Sequence, residues 1–176
     1  VKDIYAGTNG AAISQLTNVD GTLLFSAEEG TNGQELWKSD GTDAGTVMLK
    51  DIYAGVNDSL GGPRSHRNSF FSVNGSMLYF DADNGSNGWE LWQSDGSSAG
   101  TAMVKDIWAG SGDGMPFLSN GRSSFPVTFA GQLYFVADDG KTGNEIWMTT
   151  NATGGGDDCT FFLMRTQNGN MAAVCL

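Results

Sequence analysis

Short apolar runs alternate along this chain with breaks rich in Gly, Asn and Asp, and few apolar stripes have helical period. Leu23-Leu24-Phe25 and Leu78-Tyr79-Phe80 set large apolar residues side by side, as strands buried on both faces do. A tight-bend signal precedes each run: Asp20-Gly21, Asn74-Gly75 and, before Leu133-Tyr134-Phe135, Ala130-Gly131. A second strand-like run follows each of the first: Glu35-Leu36-Trp37, Glu90-Leu91-Trp92 and Glu145-Ile146-Trp147. The three glutamates are evenly spaced, 90 − 35 = 55 and 145 − 90 = 55 residues apart. Self-similarity at such a period marks a repeat architecture in which each copy is one supersecondary unit.

The two good copies continue identically in kind. Ser39-Asp40-Gly41-Thr42-Asp43-Ala44-Gly45-Thr46 and Ser94-Asp95-Gly96-Ser97-Ser98-Ala99-Gly100-Thr101 read as capped hairpin loops. Asp40 and Asp95 can bond backbone groups two residues on, and Gly41 and Gly96 can take the positive φ of a tight bend. These four residues are therefore expected to be structural. A further run ending in Lys-Asp-Ile follows at 46–53 and 101–108, and residues 1–5 repeat its sequence. Each unit thus has four antiparallel strands, and four short strands in a repeat of this length suggest a β-propeller blade.

The expected fold is all-β: antiparallel four-stranded repeats, β-propeller-like, with about three blades, open or closed velcro-fashion. Residues 1–150 would form this domain, 151–158 a linker and 159–176 a C-terminal β-hairpin. The third copy lacks its fourth strand after Thr150, while a matching segment stands alone at the N-terminus. Three ways of covering that edge follow: the C-terminal hairpin, the chain's own N-terminus, or residues 1–7 of a neighbouring copy.

Both cysteines, Cys159 and Cys175, flank an Asn168-Gly169 bend, so a disulfide hairpin is expected. A disulfide implies an oxidising compartment, hence an extracellular, cell-surface or lumenal location. The net charge of −11 argues against nucleic-acid binding, and no apolar run is long enough for a membrane-spanning helix. The chain starts at Val1 without Met, so it reads as a mature product or a fragment.

Candidate chemistry is sparse. His66 is the lone histidine, and no nucleophile motif accompanies it, so no catalytic residues are assigned. The loops after the second strands are acidic and Gly-rich, which makes Asp81, Asp83, Asp138 and Asp139 weak metal candidates. Calcium is the ion they would suit, although the spacing of an EF-hand loop is not met. No other cofactor is suggested.

Glu-Leu-Trp-x-Ser-Asp-Gly-Thr/Ser-x-Ala-Gly-Thr followed by Lys-Asp-Ile resembles the ELWxxDGT repeat family over residues 1–150. Met148-Thr149-Thr150 departs from the motif in the third copy. The Ser-Asp-Gly-Thr bend is also similar to the Asp-box hairpin of sialidase propellers, a structural device there. The family resemblance implies a propeller-like, secreted or surface-borne module without catalytic activity. On that footing the chain is expected to be a scaffold, adhesive or assembly subunit. Its partners would be proteins or further copies of itself, engaged through residues 1–7 and the edge of the third repeat. The competing expectation is a lectin-like propeller that binds glycan or calcium on its acidic loop face.

Overall fold

A computed structural model describes residues 2–62, 67, 69–116 and 126–149, together with the backbones of 161–165 and 171–175. The described residues form strands, turns and coil, with no helix among them. Repeat 1 is the sheet β1 (Ser14–Val19), β2 (Thr22–Glu28), β3 (Gln34–Ser39) and β4 (Val47–Lys50). Repeat 2 is β5 (Phe71–Asn74), β6 (Met77–Asp83), β7 (Trp89–Ser94) and β8 (Ala102–Lys105). Repeat 3 is three-stranded: β9 (Val127–Phe129), β10 (Gln132–Asp138) and β11 (Asn144–Met148). All are antiparallel meanders in chain order. A separate hairpin pairs β12 (Phe161–Arg165) with β13 (Met171–Cys175).

Local chemistry sets these boundaries. Asp20 (φ 47°) and Gly21 (φ 84°) both take left-handed conformations between β1 and β2, as the twist of a two-residue hairpin requires. The fourth strands are shorter than expected. β4 ends at Lys50 and β8 at Lys105, because the next amides turn away to a buried carboxylate described below. Residues 2–7, expected to be strand-like, form no strand either.

The sheets stack through their side chains. Leu24, Leu36 and Leu49 of repeat 1 pack with Leu78, Phe80, Ala82 and Trp92 of repeat 2 in one buried cluster, joined by Ile52 from the connection. Tyr79 and Leu91 of repeat 2 pack with Leu133, Phe135, Ala137 and Trp147 of repeat 3, joined by Ile107. Each sheet thus has a front (Leu-Phe-Ala-Trp) and a back, and both faces of repeat 2 are buried, as its continuous apolar runs anticipate. The first strands come nearest each other across these junctions, β1 by β5 and β5 by β9.

The front of repeat 1 has no sheet before it. Ile4 packs there against Phe25, Ala27 and Trp37, and Lys2 Nζ donates to the Thr46 carbonyl at 3.1 Å. Lys50 Nζ makes the matching bond to the Thr101 carbonyl at 2.5 Å. Residues 2–7 therefore dock on repeat 1 as the connections at 50–55 and 105–110 dock on repeats 2 and 3. Within this chain they do not serve as a fourth strand for repeat 3. β12 comes close to β11 but belongs to a two-stranded sheet of its own with β13.

Candidate functional site

The side chains that recur in every full repeat converge on backbone. Glu35 is buried at the second position of β3. Its carboxylate accepts hydrogen bonds from Ile52 N (2.8 Å), Tyr53 N (3.3 Å) and Ser59 Oγ (2.7 Å). Glu90 repeats the arrangement with Ile107 N (3.0 Å), Trp108 N (3.2 Å) and Gly114 N (3.0 Å). Each glutamate thereby fastens the connection to the next repeat and aims its Ile into the junction. Burial pushes both carboxyls up to about 8, against the downward pull of these hydrogen bonds. Sequence reasoning left these glutamates without a role. The signal was present: in both copies an Ile follows the Glu at the same distance, 52 − 35 = 17 and 107 − 90 = 17.

The Asp-Gly bends are built as their sequence predicts. Asp40 Oδ1 accepts from Thr42 N (2.9 Å) and Thr42 Oγ1 (2.7 Å), and Asp95 Oδ1 accepts from Ser97 N (2.8 Å). Hydrogen bonds to residues 42 and 97 hold both exposed carboxyls below their ordinary values. Gly41 (φ 90°) and Gly96 (φ 85°) supply the left-handed turn. Beneath each bend a Ser–Thr hydroxyl pair closes the loop, Ser39 with Thr46 and Ser94 with Thr101, both at 2.7 Å.

The four acidic loop residues do not come together as one site. Asp81 is fully buried and bonded to Arg67 Nε (3.1 Å) and Phe70 N (3.0 Å). Burial pushes its carboxyl up against the Arg67 charge. The Arg67 guanidinium also lies 4.3 Å from the Trp89 ring centre. Asp83 and Asp138 each cap their own turn, accepting from Gly85 N and Gly140 N, both at 2.7 Å. Asp139 accepts from Lys141 N, Thr142 N and Thr142 Oγ1 at 2.8–2.9 Å. Burial opposes its ionisation, but those bonds outweigh it and hold the carboxyl low. Among the described residues no three His, Cys, Asp or Glu side chains are grouped to hold a metal ion.

The expected disulfide involves Cys159, which lies outside the described residues, as does His66. The backbone register sets Cys175 opposite Phe161, two residues from Cys159.

A cleft of about 340 Å³ opens between the second connection and the third acidic loop. Lys105, Ile107, Trp108, Lys141 and Trp147 line it, with Asp139 and Gly140. The Trp108 indole lies on Gly140, where a Cβ would come within 2.5 Å of the ring. Tyr5 on Gly30 and Tyr53 on Gly85 make the equivalent contacts in repeats 1 and 2. Burial draws the Lys105 ammonium below its ordinary value. Indole faces and ammonium groups can hold a sugar ring or an anion, whereas Asp139 is already engaged in its own turn. No protein family, no curated protein and no solved structure matches the chain.

Proposed function

We propose that the chain is a non-catalytic structural or interaction module, a β-propeller-like array acting as scaffold, adhesive or assembly subunit outside the cytoplasm. One observation carries this reading: Glu35, Glu90, Asp40 and Asp95, four of the acids that repetition preserves, all bond to the chain's own loops. Repetition here encodes stacking. The extracellular setting rests on the expected cysteine pair, and a thiol count by mass spectrometry on freshly purified protein checks it. The function itself is tested by a hydrolase panel of glycosides, esters and peptides. No turnover is expected; turnover abolished by a point substitution that leaves melting unchanged would overturn the reading.

A second reading is favoured by the cleft at Trp108. In it the module is lectin-like and takes a glycan on the indole face, with Lys105 and Lys141 beside it. Calcium has less support than glycan, since Asp81 is paired with Arg67 and the other candidates cap turns. A glycan array with and without calcium, repeated on Trp108→Ala, tests it. Binding that survives Trp108→Ala unchanged would sink this second reading.

A further inference from the structure

The cleft beside Trp108 is a place where repeat 3 departs from the other two. The aromatic that lies on the loop glycine is Tyr5 in repeat 1 and Tyr53 in repeat 2, both half-buried. In repeat 3 it is Trp108, 39 % exposed. Its ring is fixed against Gly112 and Gly140, where an added Cβ would come within 2.5 Å of it, so the indole is held ready before any ligand arrives. The neighbouring loop changes too. Lys141 stands where repeats 1 and 2 have Thr31 and Ser86, and Asp139 where they have Glu29 and Asn84.

Asp139 is engaged through one oxygen only. Its Oδ1 takes the hydrogen bonds of Lys141 N, Thr142 N and Thr142 Oγ1, and among the described residues none falls on Oδ2. Burial works against its charge, but those bonds and the Lys141 ammonium hold the carboxyl ionised. Lys2 and Lys50, the counterparts of Lys105, give their ammonium groups to main-chain carbonyls of the repeat they dock on, so Lys105 belongs by position to the docking of its connection. Lys141 and Asp139 then bring one charge of each sign to the cleft. An anion would meet the Asp139 carboxylate in a chain of net charge −11. A hydroxyl can both donate to a carboxylate and accept from an ammonium.

We infer that the cleft binds a neutral pyranose, its C–H face on the Trp108 indole and its hydroxyls shared between Asp139 and Lys141. At about 340 Å³ the cleft lies at the lower end of ligand-pocket sizes, the scale of a terminal sugar. The inference rests on the lectin-like reading and narrows its ligand to uncharged sugars, with Asp139 as the residue that excludes acidic ones.

Matched methyl glycosides are the probes: glucoside against glucuronide and galactoside against galacturonide, with mannoside and N-acetylglucosaminide as further neutral sugars. Titration to about 20 mM, followed by the Trp108 indole N–H resonance, reads dissociation constants in the millimolar range. At least one neutral glycoside should shift that resonance saturably, and the uronides should bind about tenfold more weakly or worse. Asp139→Asn should weaken the neutral sugar about tenfold and narrow its preference over the uronide, with melting unchanged. The fold tolerates that exchange because Asn84 caps the same turn in repeat 2, its Oδ1 accepting from Ser86 N and Asn87 N at 3.0 Å. Lys141→Ser, which restores the residue type of repeat 2, should also weaken the neutral sugar. A uronide that binds as tightly as its neutral partner, neutral-sugar affinity unchanged in either variant, or a Trp108 resonance that no sugar moves would each overturn the inference. Where sugars do bind and Trp108→Ala abolishes it, the lectin-like reading survives that failure. If no sugar moves the resonance and the glycan array is silent as well, the lectin-like reading falls with it.

Discussion

Glu35 and Glu90 are buried carboxyls whose partners are mainly backbone amides. Removing the side chain strands those donors, each costing about 1–3 kcal/mol when buried and unpaired. Glu90→Ala is therefore expected to destabilise the protein by about 3 kcal/mol or more, read from chemical denaturation. Glu145 holds the equivalent place in repeat 3 but is only half-buried, and no Lys-Asp-Ile segment follows it. Glu145→Ala should cost less than about 1 kcal/mol, in the range of surface substitutions. The pH dependence has a definite sign. Both carboxyls are raised from 4.5 to about 8 in the folded chain, so between those values the native state holds more protons than the unfolded one. Stability from this source is full below pH 4.5 and is lost as pH rises through 8. The melting temperature should fall across that window, and Glu90→Gln should flatten the slope. A slope unaffected by Glu90→Gln would show that this carboxyl is ionised throughout.

At the scale of the element, the hairpin bends test whether the loop is one cooperative unit. A Cβ on Gly100 would lie 2.2 Å from the Asp95 carboxyl carbon, and one on Gly45 would meet Asp40 at 2.1 Å. Asp95→Ala removes a capping acceptor and should cost about 1 kcal/mol, with any binding activity intact. Gly100→Ala should cost more, because it drives the carboxylate off its Ser97 bonds. With Asp95→Ala already present the obstruction is gone, so the double variant should be markedly more stable than the sum of the singles. Denaturation midpoints of the four proteins measure this coupling; additive effects would refute it. Much of this level was legible in the chain. The bends declared themselves because their chemistry is local: Asp bonds two residues on and Gly takes positive φ. The fourth strands were overextended because Asp51-Ile52-Tyr53 looks like strand until Glu35 captures the amides of Ile52 and Tyr53. That bond spans 17 residues and has no signature within the segment itself. Arg67 with Asp81 was illegible for the same reason: a turn-like Asp-x-Asp pair suggested an open loop, yet Asp81 sits inside β6.

Across the whole molecule the two ends of the array differ. The back of repeat 3 leaves Ile146 and Phe129 open, whereas the front of repeat 1 is covered by Lys2, Ile4 and Tyr5. Lys2 reaches the Thr46 carbonyl, Ile4 lies on Phe25 and Trp37, and Tyr5 lies on Gly30. This segment has the sequence of a connection between repeats and docks as the connections do, on the face of repeat 1, whereas its strand-like sequence was expected to cover the edge of repeat 3. Which sheet could not be read from it, since the Lys-Asp-Ile sequence is the same at all three junctions. Deleting residues 1–7 separates the two uses the sequence allows. If the segment caps its own repeat 1, the truncated chain loses the burial of one Ile and part of one Tyr. The large-to-small scale then puts the cost at about 2–5 kcal/mol. The melting temperature should fall, an apolar dye should bind the uncovered Phe25 and Trp37, and the assembly state at low concentration should be unchanged. If residues 1–7 instead reach the repeat 3 edge of a neighbour, truncation would abolish self-association in sedimentation while leaving melting at low concentration unchanged. The contacts of Lys2 and Ile4 with repeat 1 favour the first outcome.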